Sequence, residues 1–163
     1  EALLVGIAAP DHETVWLEQG NVDSVNHAES VLAREAARRF APSALWACTL
    51  VTTVEPCAMC AGTQYWAHIG RVVYGMSEQR LLHITGNHAE NPTLDLPCRE
   101  VFARGQKEIQ VIGPVAELEE EIAAVHLRFW RVDALADHWP PIASDSYEGL
   151  SDQACTGAGL PNR

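Results

Sequence analysis

The chain has 163 residues, 47% of them hydrophobic, which suits one compact domain with a core of its own. A formal net charge of -11 and a pI near 4.9 make a surface that repels phosphate backbones, so nucleic acid is an unlikely partner on charge grounds. No apolar run approaches the roughly 18 to 20 residues that span a bilayer, and no signal peptide is recognisable, so no membrane partner is expected.

Residues 2–8, ALLVGIA, are a continuous apolar run short enough for a buried strand. PDHE turns the chain, and TVWLE at 14–18 returns as a second strand, giving a hairpin. After the loop QGNVDSV a helical pattern runs from His27 to about Phe40, with Ala28, Val31, Leu32, Ala36 and Phe40 on one face. APSA breaks that pattern, and LWACTLVTT at 45–53 reads as a central strand. VEP leads into a second helix from Cys57 to about Ala67, and RVVYG at 71–75 forms the next strand. Residues 77–97 read as an irregular stretch with one helical turn near its start, long enough to suggest a functional loop.

CREVFARG predicts a short helix ended by Gly105, and EIQVIG at 108–113 a further strand. Residues 117–135 are the clearest amphipathic helix, with Leu118, Ile122, Val125, Phe129 and Val132 as its core stripe. From Trp139 onward Pro, Ser, Asp and Gly dominate. The expected organisation is therefore one domain over 1–138 and a tail over 139–163. A strand pair followed by alternating helices and strands predicts an α/β fold: a three-layer α/β/α sandwich around a mixed sheet of about five strands. The chain begins at Glu1 rather than at a methionine, which leaves room for residues upstream.

The cysteines at 48, 57, 60, 98 and 155 are odd in number and not evenly framed, which points to a reducing, cytoplasmic setting rather than a disulfide scaffold. Two of them, in Pro56-Cys57-Ala58-Met59-Cys60, open the second helix, just as His27-Ala28-Glu29 opens the first. Each motif alone has a simpler reading. The cysteine pair could be a redox couple or two buried thiols, and the histidine and glutamate a polar helix start favoured by the dipole. Together, one imidazole and two thiolates make a three-ligand zinc set with a fourth position left for water. A structural site would recruit a fourth protein ligand, for which Cys48, Cys98, Cys155 or another histidine are the candidates. Glu29, two residues beyond a ligand, is placed to move protons beside the metal without binding it. His-x-Glu followed by Pro-Cys-x-x-Cys is the signature of zinc hydrolytic deaminases.

His27-Ala28-Glu29 and the later EPCAMC resemble the cytidine deaminase-like superfamily of zinc deaminases. The Glu-Pro-Cys-x-Met-Cys form and the following YWAHIGRVVYG resemble its branch of guanine deaminases and tRNA adenosine deaminases. The likeness runs from about residue 2 to 132. It implies a cytidine deaminase-like fold, one Zn2+ per chain on His27, Cys57 and Cys60, and Glu29 as catalytic proton shuttle. It also implies substrate contacts from the Ala28 N–H and from Asn21. The chain departs from the family in three ways. It has no helix before the first strand and no PFG-like segment within it, the loop from Asn21 to His27 is short, and the basic surface of tRNA editors is missing.

Trp66 is a further candidate for the substrate pocket, with core packing as its alternative. His83, His88 and Glu90 in the long loop either reach substrate or are solvated. Phe129 and Trp130 could cap the pocket, although Phe129 also fits the core stripe. The glutamates at 117 and 119–121 read as a solvated first turn, and Cys98 and Cys155 have no evident partner. The tail is either an active-site lid, as the resemblance implies, or a disordered end. The implied activity is hydrolytic deamination of a free nucleobase or nucleoside, guanine-deaminase-like, in a homodimer. Cytosine, pterin or aminotriazine deamination, tRNA adenosine deamination and a non-catalytic zinc module are the alternatives.

Overall fold

The computed structural model describes residues 4–86, 88 and 91–132. Glu90, Cys155 and the tail over 139–163, with its expected lid, lie outside the described residues.

β1 (Leu4–Ala8) and β2 (Val15–Gly20) form the expected antiparallel hairpin. Asp11 shapes its turn: one carboxylate oxygen accepts the N–H groups of Glu13 and Thr14 at 3.0 and 2.9 Å, and the other accepts the Thr14 hydroxyl at 2.6 Å. β3 (Thr49–Val54) runs antiparallel to β1, while β4 (Arg71–Met76) and β5 (Gln110–Ile112) add in parallel. The sheet order is β2-β1-β3-β4-β5, a mixed five-stranded sheet. Each parallel step needs a helical crossover. α3 (Ala58–Trp66) provides the first; α4 (Glu78–Thr85) and α5 (Cys98–Ala103) lie along the second.

Alternating β4 side chains show the layering. Val72 and Tyr74 join a core with Ala28, Leu32 and Ala36 of α1 (Ala28–Arg39), Ala61 of α3 and Phe102 of α5. Gly75 instead faces Ile122 of α6 (Ala116–Val132), which packs with α4 on the other side of the sheet. The fold is the expected α/β class with helices on both faces of the sheet.

Four segments differ from the sequence reading. Residues 42–46, read as a break followed by the first two residues of the central strand, form a short helix, α2 (Pro42–Trp46), because Pro42 suits a first helical turn and Leu45 can then point into the core. Residues 78–85 form a full helix, since the Ser77 hydroxyl accepts the Arg80 N–H at 3.1 Å and starts it. The last strand covers three residues, 110–112. In α6 the inward positions are Ala123 and His126, while Leu118, Val125 and Phe129 are exposed. Ile122 of the expected stripe does pack inward, against Gly75 of β4, where the missing side chain makes room for it.

Candidate metal centre and cleft

His27 and Cys57 are the cap residues of α1 and α3, both extended (φ -62°, ψ 148°; φ -62°, ψ 169°), and neither spends its side chain on capping. Both side chains are therefore free to face each other across the junction of the two helices. His27 Nδ1, Cys57 Sγ and Cys60 Sγ form a triangle with each side 3.6 Å. Zinc bond lengths at tetrahedral angles put S–N edges at about 3.6 Å and S–S edges at about 3.8 Å. The donor set therefore fits zinc with one position open.

No fourth cysteine or histidine joins them among the described residues. Cys48 is buried and donates its thiol to the Ala44 carbonyl at 3.2 Å. Cys98 lies beside the Glu55 carboxylate, and burial with that charge pushes its thiol up. At the triangle itself, hydrogen bonding from Cys60 and then His27 pulls the Cys57 thiol down to about 4, while Cys57 and burial push Cys60 up. The Cys57 hydrogen bond raises His27. The Ser30 hydroxyl donates to Cys60 Sγ at 3.3 Å. The pocket already favours one negative sulfur, that of Cys57, and Cys60 gives up its proton only as a metal binds.

Glu29, 5% exposed, lies against this triangle without being one of its corners. Its Oε2 is 3.6 Å from Cys60 Sγ, and its Oε1 is 3.0 Å from the Thr52 hydroxyl, which is also 3.0 Å from the Val54 carbonyl. One hydroxyl thus serves both forms of the acid. Thr52 donates to the ionised carboxylate; once Glu29 is protonated, it donates to Thr52, which turns to Val54. Burial raises the Glu29 pKa, opposed by its own N–H and by Thr52.

A cavity of about 420 Å³ opens over this group, walled in part by Asn21, His27, Glu29 and Cys57. Asn21 Oδ1 accepts the Ala28 N–H at 3.3 Å, so the structure brings together the two expected ring contacts. The short loop before them is held by Asp23, which accepts the N–H groups of Val25 and Asn26 at 2.8 and 2.7 Å. Trp66 is not brought to the cleft or the core: it is 76% exposed and stands edge-on to Tyr65, near Lys107. His83 turns back to its own helix, bonding the Gln79 carbonyl at 2.7 Å. Trp130 does line the cavity, with His88 and Phe129 against its ring edges.

Three cleft acids and bases lacked any assignment from the sequence. Glu78 lines the wall, and burial, then the charges of Cys57, Glu55 and Glu29, push it up to about 8. His126 accepts the Trp130 indole N–H on Nδ1 at 3.3 Å, which leaves its proton on Nε2; burial holds it neutral. Glu55 is described below. Only Glu55 had a local cue, its place in EPC; the others reach the site through packing.

Residues 12–76 match the family described as the cytidine and deoxycytidylate deaminase zinc-binding region. A probable cytosine deaminase of Schizosaccharomyces pombe is 37% identical over 83 residues, covering 51% of this chain and 50% of that protein. A tRNA-specific adenosine deaminase of Haemophilus influenzae is 32% identical over 80 residues, 45% of this chain and 46% of its own length. The chain thus aligns with about half the length of these relatives. In fold, the structure of a guanine deaminase from Nitrosomonas europaea superposes with a TM-score of 0.56 at 22% identity, covering 80% of this chain and 72% of that one.

Proposed function

We propose, from the match of residues 12–76 to the zinc-binding region of cytidine and deoxycytidylate deaminases, that the protein is a zinc-dependent hydrolytic deaminase of a free nucleobase or nucleoside. The observation that carries the reading is Glu29: a buried carboxyl beside a three-ligand set that it does not complete. A purely structural zinc site has no use for it.

His27, Cys57 and Cys60 would hold the metal, which when bound supplies the Lewis acidity that makes water a nucleophile near neutral pH. Glu29 takes one proton from the attacking water and gives it to the ring nitrogen, then takes the proton of the newly bound hydroxyl and gives it to the amine, which leaves as ammonia. The Thr52 hydroxyl follows each change of charge by switching between Glu29 and Val54. Asn21 and the Ala28 N–H orient the ring once substrate competes for their mutual bond. The cavity, at about 420 Å³, suits a base or small nucleoside. A guanine-like purine is favoured by the likeness to guanine deaminase in fold and by the acidic surface; cytosine, pterin and aminotriazine rings remain rivals for the same chemistry. A homodimer in a reducing, cytoplasmic setting belongs to the same reading, which is in keeping with four free cysteines among the described residues.

The test is ammonia release from guanine, cytosine, adenine, their nucleosides, pterins and aminotriazines. Glu29→Ala is expected to keep about one zinc per chain while turnover falls by about 10³-fold. Zinc lost along with activity would make Glu29 a ligand and end the mechanism. No turnover of any ring by the unaltered protein would end the small-substrate reading.

A further inference from the structure

Glu55 follows β3 directly and stands two residues before the metal ligand Cys57. It is 4% exposed. Its own N–H donates to the Met76 carbonyl at 2.8 Å, joining the end of β3 to the end of β4. Its two carboxylate oxygens go to different elements. Oε2 accepts the N–H of Glu78, the first residue of α4, at 3.2 Å, and Oε1 accepts the N–H of Cys98, the first residue of α5, at 2.9 Å. Both donors are helix-start N–H groups with no partner inside their helices, and both lie where negative charge is favoured.

Glu78 and Cys98 also flank residues that line the cavity shared with His27 and Cys57: Leu81, Asn91, Pro92, Thr93 and Leu94, with Glu78 itself. We infer that Glu55 is a positioning residue that ties both ends of this wall to the metal-binding turn, so that the distance between zinc and substrate wall is set by one side chain. The inference rests on reading the cavity as the substrate site. A charged acceptor shared by two N–H groups is stronger than either neutral alternative, and only a carboxylate offers two oxygens without a competing donor. A glutamine in its place would turn an N–H towards one helix start and lose that bond.

In zinc-loaded full-length protein, Glu55→Gln is expected to keep its zinc and the amide protection of α1 and α3. Exchange over 78–98 should quicken about tenfold. KM for the ring that the unaltered protein deaminates should rise about tenfold, with kcat changed far less. Unchanged exchange over 78–98, an unchanged KM, or loss of zinc would each overturn the inference. If Glu55→Gln does not fold, a second pair of variants decides. Cys98→Pro removes the N–H together with the thiol, at a first helical position that suits proline, and Cys98→Ala removes the thiol alone. Faster exchange over 78–98 in the first alone supports the tie; equal behaviour of the two overturns it. Exchange needs no substrate, so failure of every ring to turn over would count against the deaminase reading and leave the tie to be judged by exchange.

Discussion

At the scale of single residues, the buried groups of the site differ in whether a well-placed partner offsets their burial. Thr52 is the clearest case, because its hydroxyl meets Glu29 in either protonation state. Thr52→Val keeps the shape and removes that partner; it should leave zinc in place and lower kcat by about tenfold, read by ammonia release. The Glu78 carboxyl has no such side-chain partner among the described residues, and burial with the neighbouring negative charges pushes it up to about 8 from the ordinary 4.5. Below about pH 4.5 both folded and unfolded chains hold the proton, and the group contributes nothing to stability. Between there and pH 8 the unfolded chain ionises first, so stability falls as pH rises; above pH 8 the full cost of a buried charge remains. Glu78→Gln should therefore raise the thermal midpoint of metal-free protein at pH 8 by about 4 °C or more and leave it unchanged at pH 4. An equal gain at both pH values would show that ionisation is not the cause.

At the scale of elements, two helix starts make the metal centre and a third helix closes the cleft. α1 and α3 pack against each other, so their cap residues His27 and Cys57 meet without any loop reaching over. α6 depends on Gly75, where a side chain would run into Ile122 and press on the Thr53 carbonyl. Gly75→Val should lift α6 from β4, costing about 1–3 kcal/mol in denaturant unfolding, and weaken substrate binding by moving His126 and Trp130. An unchanged unfolding midpoint would mean that α6 does not bear on β4 in this way. The apolar stripe read from 117–135 was a true amphipathic signal of which Ile122 packs inward, on Gly75, while its neighbours turn out. Leu118, Val125 and Phe129 face out, and period alone gives no bearing relative to a sheet.

At the scale of the whole molecule, charge separates the two branches that the relatives represent. The likeness to tRNA-specific adenosine deaminases is real over the matched residues, yet a net charge of -11 opposes a polyanion. We expect no retention of tRNA even at about 50 mM salt in a gel-shift assay. A shift at that salt which fades as salt rises would favour the tRNA reading instead. No helix among the described residues is long and apolar enough to cross a membrane.

His27, Glu29, Cys57 and Cys60 were legible because metal chemistry restricts residue type, and each motif sits within one turn of a single helix, where spacing fixes relative position. A mixed sheet of about five strands was legible for a similar local reason, as apolar runs separated by helical ones, while the strand order was not. Pro42 and Ser77 hid two helices inside stretches read as a break running into a strand and as a loop, since a single turn-starting residue outweighed the surrounding pattern. What only the tertiary structure decided is the wall: Glu55 bonded to residues 23 and 43 positions onward, Glu78 buried beside Cys57, and His126 buried at the edge of the cavity. Those placements depend on which faces of separate helices meet the sheet. That is a property of packing, and no short stretch of the sequence carries it.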